Sequence, residues 1–211
     1  MNIDPITESI RRSFDARTAA RDLALAQTRL LTRHCANAIR AIHRDETNPA
    51  TDHLQEAKQL VESLKNDLSE YPDLYFAGYT QDALKEYAEA NLIFALVNDQ
   101  ALPWPEQMGV EPATYMQGMA EAAGELRRRC LDQLRQGNSE EATRLLGLMD
   151  EIFTQLITMD YPDAVTGGLR RLTDIARSIL ERTRGDITIS LRQEQLEKML
   201  RNLELKLSEA G

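Results

Sequence analysis

Along nearly the whole chain, hydrophobic positions recur every three or four residues, and no stretch alternates convincingly with a period of two. The pattern predicts helices and no strands. A first helix runs from about Thr7 to His43, uninterrupted by Gly or Pro, and places Ile10, Phe14, Leu25, Leu31, Cys35, Ile39 and Ile42 on one side. At 1.5 Å per residue it spans roughly 55 Å. Asp45 to Thr51 breaks it, Thr51 or Asp52 caps a second helix ending near Glu70, and Tyr71-Pro72-Asp73 turns the chain. The third helix, Thr80 to Val97, differs in kind. From Ala88 onward it is apolar on nearly every side, the signature of a helix surrounded by others. Asn98 to Val110, with Pro103, Trp104, Pro105 and Gly109, reads as a loop. A fourth helix opens at Pro112 and ends near Gln136, and a fifth starts from a Ser139 cap and stops before Tyr161-Pro162. Gly185-Asp186 divides the remainder into helices over about Ala164 to Arg184 and Ile187 to Leu207. The expectation is an all-α, bundle-like domain of about seven helices covering residues 1–211.

Composition fits this reading: aromatics are only 5% of 211 residues, and ten glycines and seven prolines are spread thinly. Cys35 and Cys130 stand far apart and give no disulfide framework, so a reducing, cytoplasmic setting is expected. The first residues have no apolar core, and there is no run of 18 apolar residues, so neither a signal peptide nor a membrane span is expected.

Charge changes the picture more. The net charge of −9 argues against nucleic acid until its distribution is read. Ile10 to Arg44 contains eight Arg, no Lys and two acids, a balance of +6 that leaves −15 for the rest. Within that helix Arg11, Arg29, Arg33, Arg40 and Arg44 share a narrow stripe. Such a stripe is either a solvated face or a phosphate-binding track, since guanidinium suits bidentate phosphate contacts.

Two carboxylates sit in the apolar third helix, Glu86 and Glu89, on one face and with Cβ atoms roughly 5–6 Å apart. Glu89 shares its stripe with Ile93 and Leu96, where a charge is costly unless a cation or another helix answers it. The fourth helix offers a second pair, Glu121 and Glu125, flanked by small residues that allow close helix approach. Either pair alone also suits an exposed face. Four carboxylates in one pocket would be an oxygen-only site of the kind preferred by Mg²⁺ or Mn²⁺. Glu-x-x-His pairs are missing, and His34, His43 and His53 all precede the third helix, which argues against a histidine-rich zinc or iron centre. Nucleophile elbows and phosphate-cradling glycine loops are absent from the sequence.

Lys85-Glu86-Tyr87-Ala88-Glu89-Ala90 resembles the QEYVEA segment of the translin superfamily, and Ala120-Glu121-Ala122-Ala123-Gly124-Glu125-Leu126 resembles its ADLTGEL segment. Arg21-Asp22 and His43-Arg44 stand where that family has RD and HR pairs. The resemblance covers essentially the whole chain. It implies the all-α translin fold and places the chain nearer the catalytic branch, that of translin-associated factor X (TRAX), than the strand-binding translin branch. By that resemblance Glu86, Glu89, Glu121 and Glu125 correspond to the catalytic, metal-holding acids, although Glu121 stands where the family motif has Asp. The short 98–110 loop lacks the long insertion of eukaryotic TRAX and suggests a compact, archaeal-type member.

The expected function is a Mg²⁺- or Mn²⁺-dependent endoribonuclease acting on single-stranded or unpaired RNA, with single-stranded DNA as a further ligand. Arg17, Arg21, Arg29, Arg33, Arg40 and Arg44 would hold the backbone. Arg127 and Arg128 either steady a phosphate or are solvated or ion-paired. Family resemblance suggests a homo-oligomer, an octameric shell around the RNA. The alternatives are a non-catalytic translin-like single-strand binder and a purely structural helical assembly in which arginines of neighbouring helices bridge the Glu pairs.

Overall fold

The computed structural model describes residues 3–209 and contains, among those residues, nine helices and no strand. They are α1 (Asp4–His43), α2 (Thr47–Asp67), α3 (Pro72–Tyr75), α4 (Gly78–Val97), α5 (Pro105–Met108), α6 (Pro112–Arg135), α7 (Ser139–Leu156), α8 (Asp163–Thr166) and α9 (Leu169–Glu209). The all-α expectation holds. Three of the nine are single turns: α3 and α5 lie in stretches that read as a turn and a loop, whereas α8 occupies the start of the helix expected from Ala164, which Gly167 and Gly168, both at positive φ, separate from α9. No helix among the described residues is long and apolar enough to cross a membrane.

The chain forms two compact units, Met1–Met119 and Ala120–Gly211, and the division falls inside α6. In the first unit α1 packs along α2 and α4. Its core joins Leu31, Cys35 and Ile39 of α1, Leu54, Val61 and Leu64 of α2, and Leu84, Tyr87 and Leu92 of α4. Burying each large aliphatic side chain contributes about 1.5–3 kcal/mol. Only the second half of the predicted apolar stripe of α1 does this work: Ile10 and Phe14 are exposed, whereas Leu31, Cys35, Ile39 and Ile42 are buried. Thr80 donates to the Leu74 carbonyl at 2.8 Å and Gln81 to the Tyr75 carbonyl at 2.9 Å, which fixes the start of α4 on α3. The 98–110 segment folds around α5, where the backbone N–H of Trp104 donates to Gln107 at 2.9 Å and the Tyr115 hydroxyl to the Pro103 carbonyl at 2.9 Å.

In the second unit α7 packs on α9. Asn138 caps α7 by accepting from the Glu141 N–H at 3.3 Å, so Ser139 is the first helical residue and not the cap the sequence suggested. The predicted break at Gly185-Asp186 is absent, and α9 is continuous from Leu169. Leu169, Thr173, Ala176, Leu180, Thr183 and Ile187 form one buried stripe through it. Arg127 donates to the Thr183 hydroxyl at 2.9 Å and pairs with Asp186 at 2.8 Å, holding the turn on both sides of Gly185. A mid-helix glycine costs about 1 kcal/mol relative to alanine, and the stripe's packing outweighs that cost.

Candidate functional site

The site begins with α4. Eleven of its 20 residues are buried, among them Glu89, which is 8% exposed, while Glu86 is half-buried. Cys35 of α1 lies behind this pair. Burial pushes its thiol far above the ordinary range, and the nearby Glu86 and Glu89 carboxylates push it further. The hydroxyl of Tyr87, the residue after Glu86, is raised to about 12 by burial, then by Cys35 and by Glu62 of α2.

The register of α6 against α4 is set inside the first unit. The Thr114 hydroxyl donates to the Gln81 side-chain oxygen at 2.6 Å. One turn further on, Gly118 is so close to α4 that a Cβ on it would meet the Ala88 Cβ at 2.8 Å, the Glu89 nitrogen at 2.9 Å and the Lys85 carbonyl at 2.9 Å. These contacts advance in the same sense along both helices. The next turn of the same helix brings Glu121 up, three residues after Gly118 on one face. Carboxylate oxygens of Glu86, Glu89 and Glu121 lie within 4.8 Å of one another, and Glu121 is half-buried. Three like charges this close repel, and the arrangement suits a divalent cation held by oxygen. Glu125, one turn beyond, is 3.6 Å from Arg128 and is not among the three.

Gly118 was not singled out from the sequence. The motif glycine, Gly124, has only an ordinary contact, 3.9 Å to the Ile179 Cδ1. A glycine inside a helical pattern was the available signal, and two of them six residues apart could not be ranked without the partner helix. Arg129, buried at 8% exposure, was also passed over. It lies eleven residues, close to three full turns, after Gly118 and so shares its face.

All eight arginines from Arg11 to Arg44 are exposed. Arg17 pairs with Asp73 of α3, Arg21 with Asp22 at 3.1 Å, and Arg40 donates to Asn37 at 2.6 Å. Arg29, Arg33 and Arg40 share one stripe of α1, and Arg44 follows directly as its C-cap residue. Arg127 is engaged by Thr183 and Asp186, and Arg128 by Glu125.

The chain is 32% identical over 193 residues to an uncharacterised protein of Methanocaldococcus jannaschii, a match covering 90% of this chain and 85% of that protein. No protein-family model matches it. Among solved structures, AfC3PO in complex with duplex RNA superposes with a TM-score of 0.82 at 31% identity, covering 89% of this chain and 97% of that one. C3PO is the complex of translin and TRAX. The chain belongs to the translin superfamily. AfC3PO without the duplex gives a TM-score of 0.81 at 31% identity over 89% of this chain and 97% of that one. The superfamily fold extends to apo-NeC3PO, with a TM-score of 0.78 at 21% identity over 90% of this chain and 97% of that chain.

Proposed function

We propose that this translin-superfamily chain is a TRAX-like endoribonuclease, dependent on Mg²⁺ or Mn²⁺ and acting on single-stranded or unpaired RNA. The observation that carries the reading is the group of three carboxylates, Glu86, Glu89 and Glu121, within 4.8 Å of one another. Its donor set is oxygen only, which fits a hard divalent cation.

Glu89, buried on α4, would hold the cation together with the half-buried Glu86 and Glu121. Glu125 serves as a further ligand or as the base that orients the attacking water. The cation, when bound, activates water and offsets charge on the transferring phosphoryl group. Glu121 reaches one methylene further from the α6 backbone than the Asp of the family motif would. The arginines of α1, from Arg17 to Arg44, hold the RNA backbone through phosphate contacts that do not read sequence. Arg127 and Arg128, tied to acids of the same unit, keep the lower half of the site in register. The working form is a homo-oligomer in the cytoplasm.

That AfC3PO was solved with duplex RNA supports RNA as the ligand class and makes duplex RNA a necessary comparison substrate. It equally supports the runner-up, a translin-like binding protein without activity. Incubating end-labelled single-stranded and duplex RNA with the chain in Mg²⁺, Mn²⁺ or EDTA separates the two. The proposal predicts internal cleavage of the single strand that needs the cation. Retention of intact RNA under all three conditions would leave the binding protein.

A further inference from the structure

Away from the carboxylates, α1 and α2 bring together two of the three histidines. The Nδ1 atoms of His34 and His53 lie 3.2 Å apart, both rings are half-buried, and the rings meet edge-on with centroids 5.3 Å apart. Two neutral imidazoles can meet this way only if their tautomers differ, one Nδ1 carrying its proton and the other presenting its lone pair. The same two atoms with both protons moved to Nε2 form a pair of ligands. Zinc binds imidazole nitrogen at 2.0–2.1 Å, and a tetrahedral angle then sets two such nitrogens roughly 3.3 Å apart. The Nδ1 separation of 3.2 Å closely matches that spacing.

The surrounding charges also allow a cation. Asp52 precedes His53, and Glu56 follows it by three residues on the same face of α2, with Cβ atoms roughly 5–6 Å apart. On α1 the flanking groups are Arg33, which is exposed, and Asn37, whose side-chain oxygen accepts from Arg40. The acids on α2 offset the guanidinium on α1. The arrangement differs from the Glu86, Glu89 and Glu121 group in donor type: nitrogen favours the late first-row divalent cations, oxygen the hard ones.

We propose that His34 and His53 form a two-imidazole site for a zinc-class divalent cation, which clips α1 to α2 and completes its coordination with water. Neither the helical pattern nor the spacing of the two histidines indicated this pairing, which arises from the packing of α1 on α2.

Zinc titrated into the full chain in a large excess of Mg²⁺, which occupies the oxygen site, tests the proposal. Calorimetry should show one zinc per chain, lost in His34→Gln and in His53→Gln and retained in His43→Gln. In parallel, ¹⁵N NMR of the histidine side chains should show both Nδ1 resonances of His34 and His53 moving on zinc addition, with the protons on Nε2. Undiminished zinc binding in His34→Gln and His53→Gln would overturn the site. So would Nδ1 resonances indifferent to zinc in the unaltered chain, a measurement that decides the matter even if a variant fails to fold. Either result would leave the pair as a ring-to-ring hydrogen bond.

Discussion

At the scale of single residues, Glu89 was legible because its place on an apolar stripe contradicts its charge. Its companions were harder. Glu121 and Glu125 follow the same spacing logic, but only the approach of α6 at Gly118 distinguishes Glu121, within the group of three, from Glu125, beside Arg128. Arg129 was invisible because one arginine among three in succession, Arg127 to Arg129, carries no burial signal of its own. Cys130 gives a separate prediction at this scale. Burial raises its thiol from 9.0 to about 11, with Asp186 adding to the shift and Arg127 opposing it. The folded state therefore favours the neutral thiol. Stability from this group is complete below pH 9, falls as the unfolded thiol ionises, and is lost by about pH 11. Urea melts between pH 8 and 11 should show a shallower alkaline decline in Cys130→Ala than in the parent, and parallel declines would refute the assignment.

Among the elements, α1, α6 and α7 were readable to within a few residues because each buries one periodic face, and α4 because it is apolar on nearly every side, whereas α2 begins at Thr47, a turn before the Thr51 or Asp52 cap the sequence suggested. The error in α9 has a physical cause. Gly185-Asp186 has the local character of a helix end, but the stripe from Leu169 to Ile187 and the Arg127 contacts keep the helix going. Sequence shows propensity, and here tertiary packing outweighs it. Between α4 and α6 the decisive element-level feature is Gly118. Alanine there would normally gain helix stability, but its Cβ would meet backbone atoms at 2.9 Å. Gly118→Ala should cost about 1–3 kcal/mol through overpacking and raise the Mn²⁺ concentration needed for cleavage. An unchanged melting temperature with unchanged metal dependence would show that the seam yields freely. For α1, Arg33→Ala and Arg40→Ala should weaken RNA binding for every sequence tried. Each lost phosphate contact should flatten the slope of log K against log salt by roughly 0.7 for a single strand. Unaltered slopes in both variants would remove the stripe from the RNA path.

For the whole molecule, two helical faces carry apolar side chains that nothing covers. Ile6, Ile10 and Phe14 line the start of α1, and Leu196, Met199, Leu200, Leu203 and Leu207 line the far half of α9. Exposed stripes of this size mark interaction surfaces, and self-association is the occupant the proposed function calls for. The sequence showed the stripe of α1 through Ile10 and Phe14, whereas the uncovered stripe of α9 emerges only in the structure. Light scattering at micromolar concentration should give a mass several times 23.9 kDa, and replacing Leu200 and Leu203 together by Ser should lower it. Each buried leucine is expected to contribute about 2 kcal/mol, more than tenfold in dissociation constant. A parent chain that scatters as a monomer would contradict the assembly.

The central claim is that Glu86, Glu89 and Glu121 hold a catalytic cation, and one paired measurement on Glu89→Gln addresses it most directly. The substitution keeps shape and removes one charge from the buried member of the group. With Mn²⁺ present, cleavage of labelled single-stranded RNA and binding of the same RNA are measured side by side in the parent and the variant. The account predicts that cleavage is abolished while the RNA dissociation constant is unchanged, and that the rise in melting temperature caused by Mn²⁺ shrinks. In the parent that rise corresponds to about 2.7 kcal/mol at a hundredfold excess of metal over its dissociation constant. Cleavage by Glu89→Gln at the parent rate would contradict the account, and melting temperatures indifferent to Mn²⁺ in both proteins would indicate that arginine and not a metal ion answers the carboxylates.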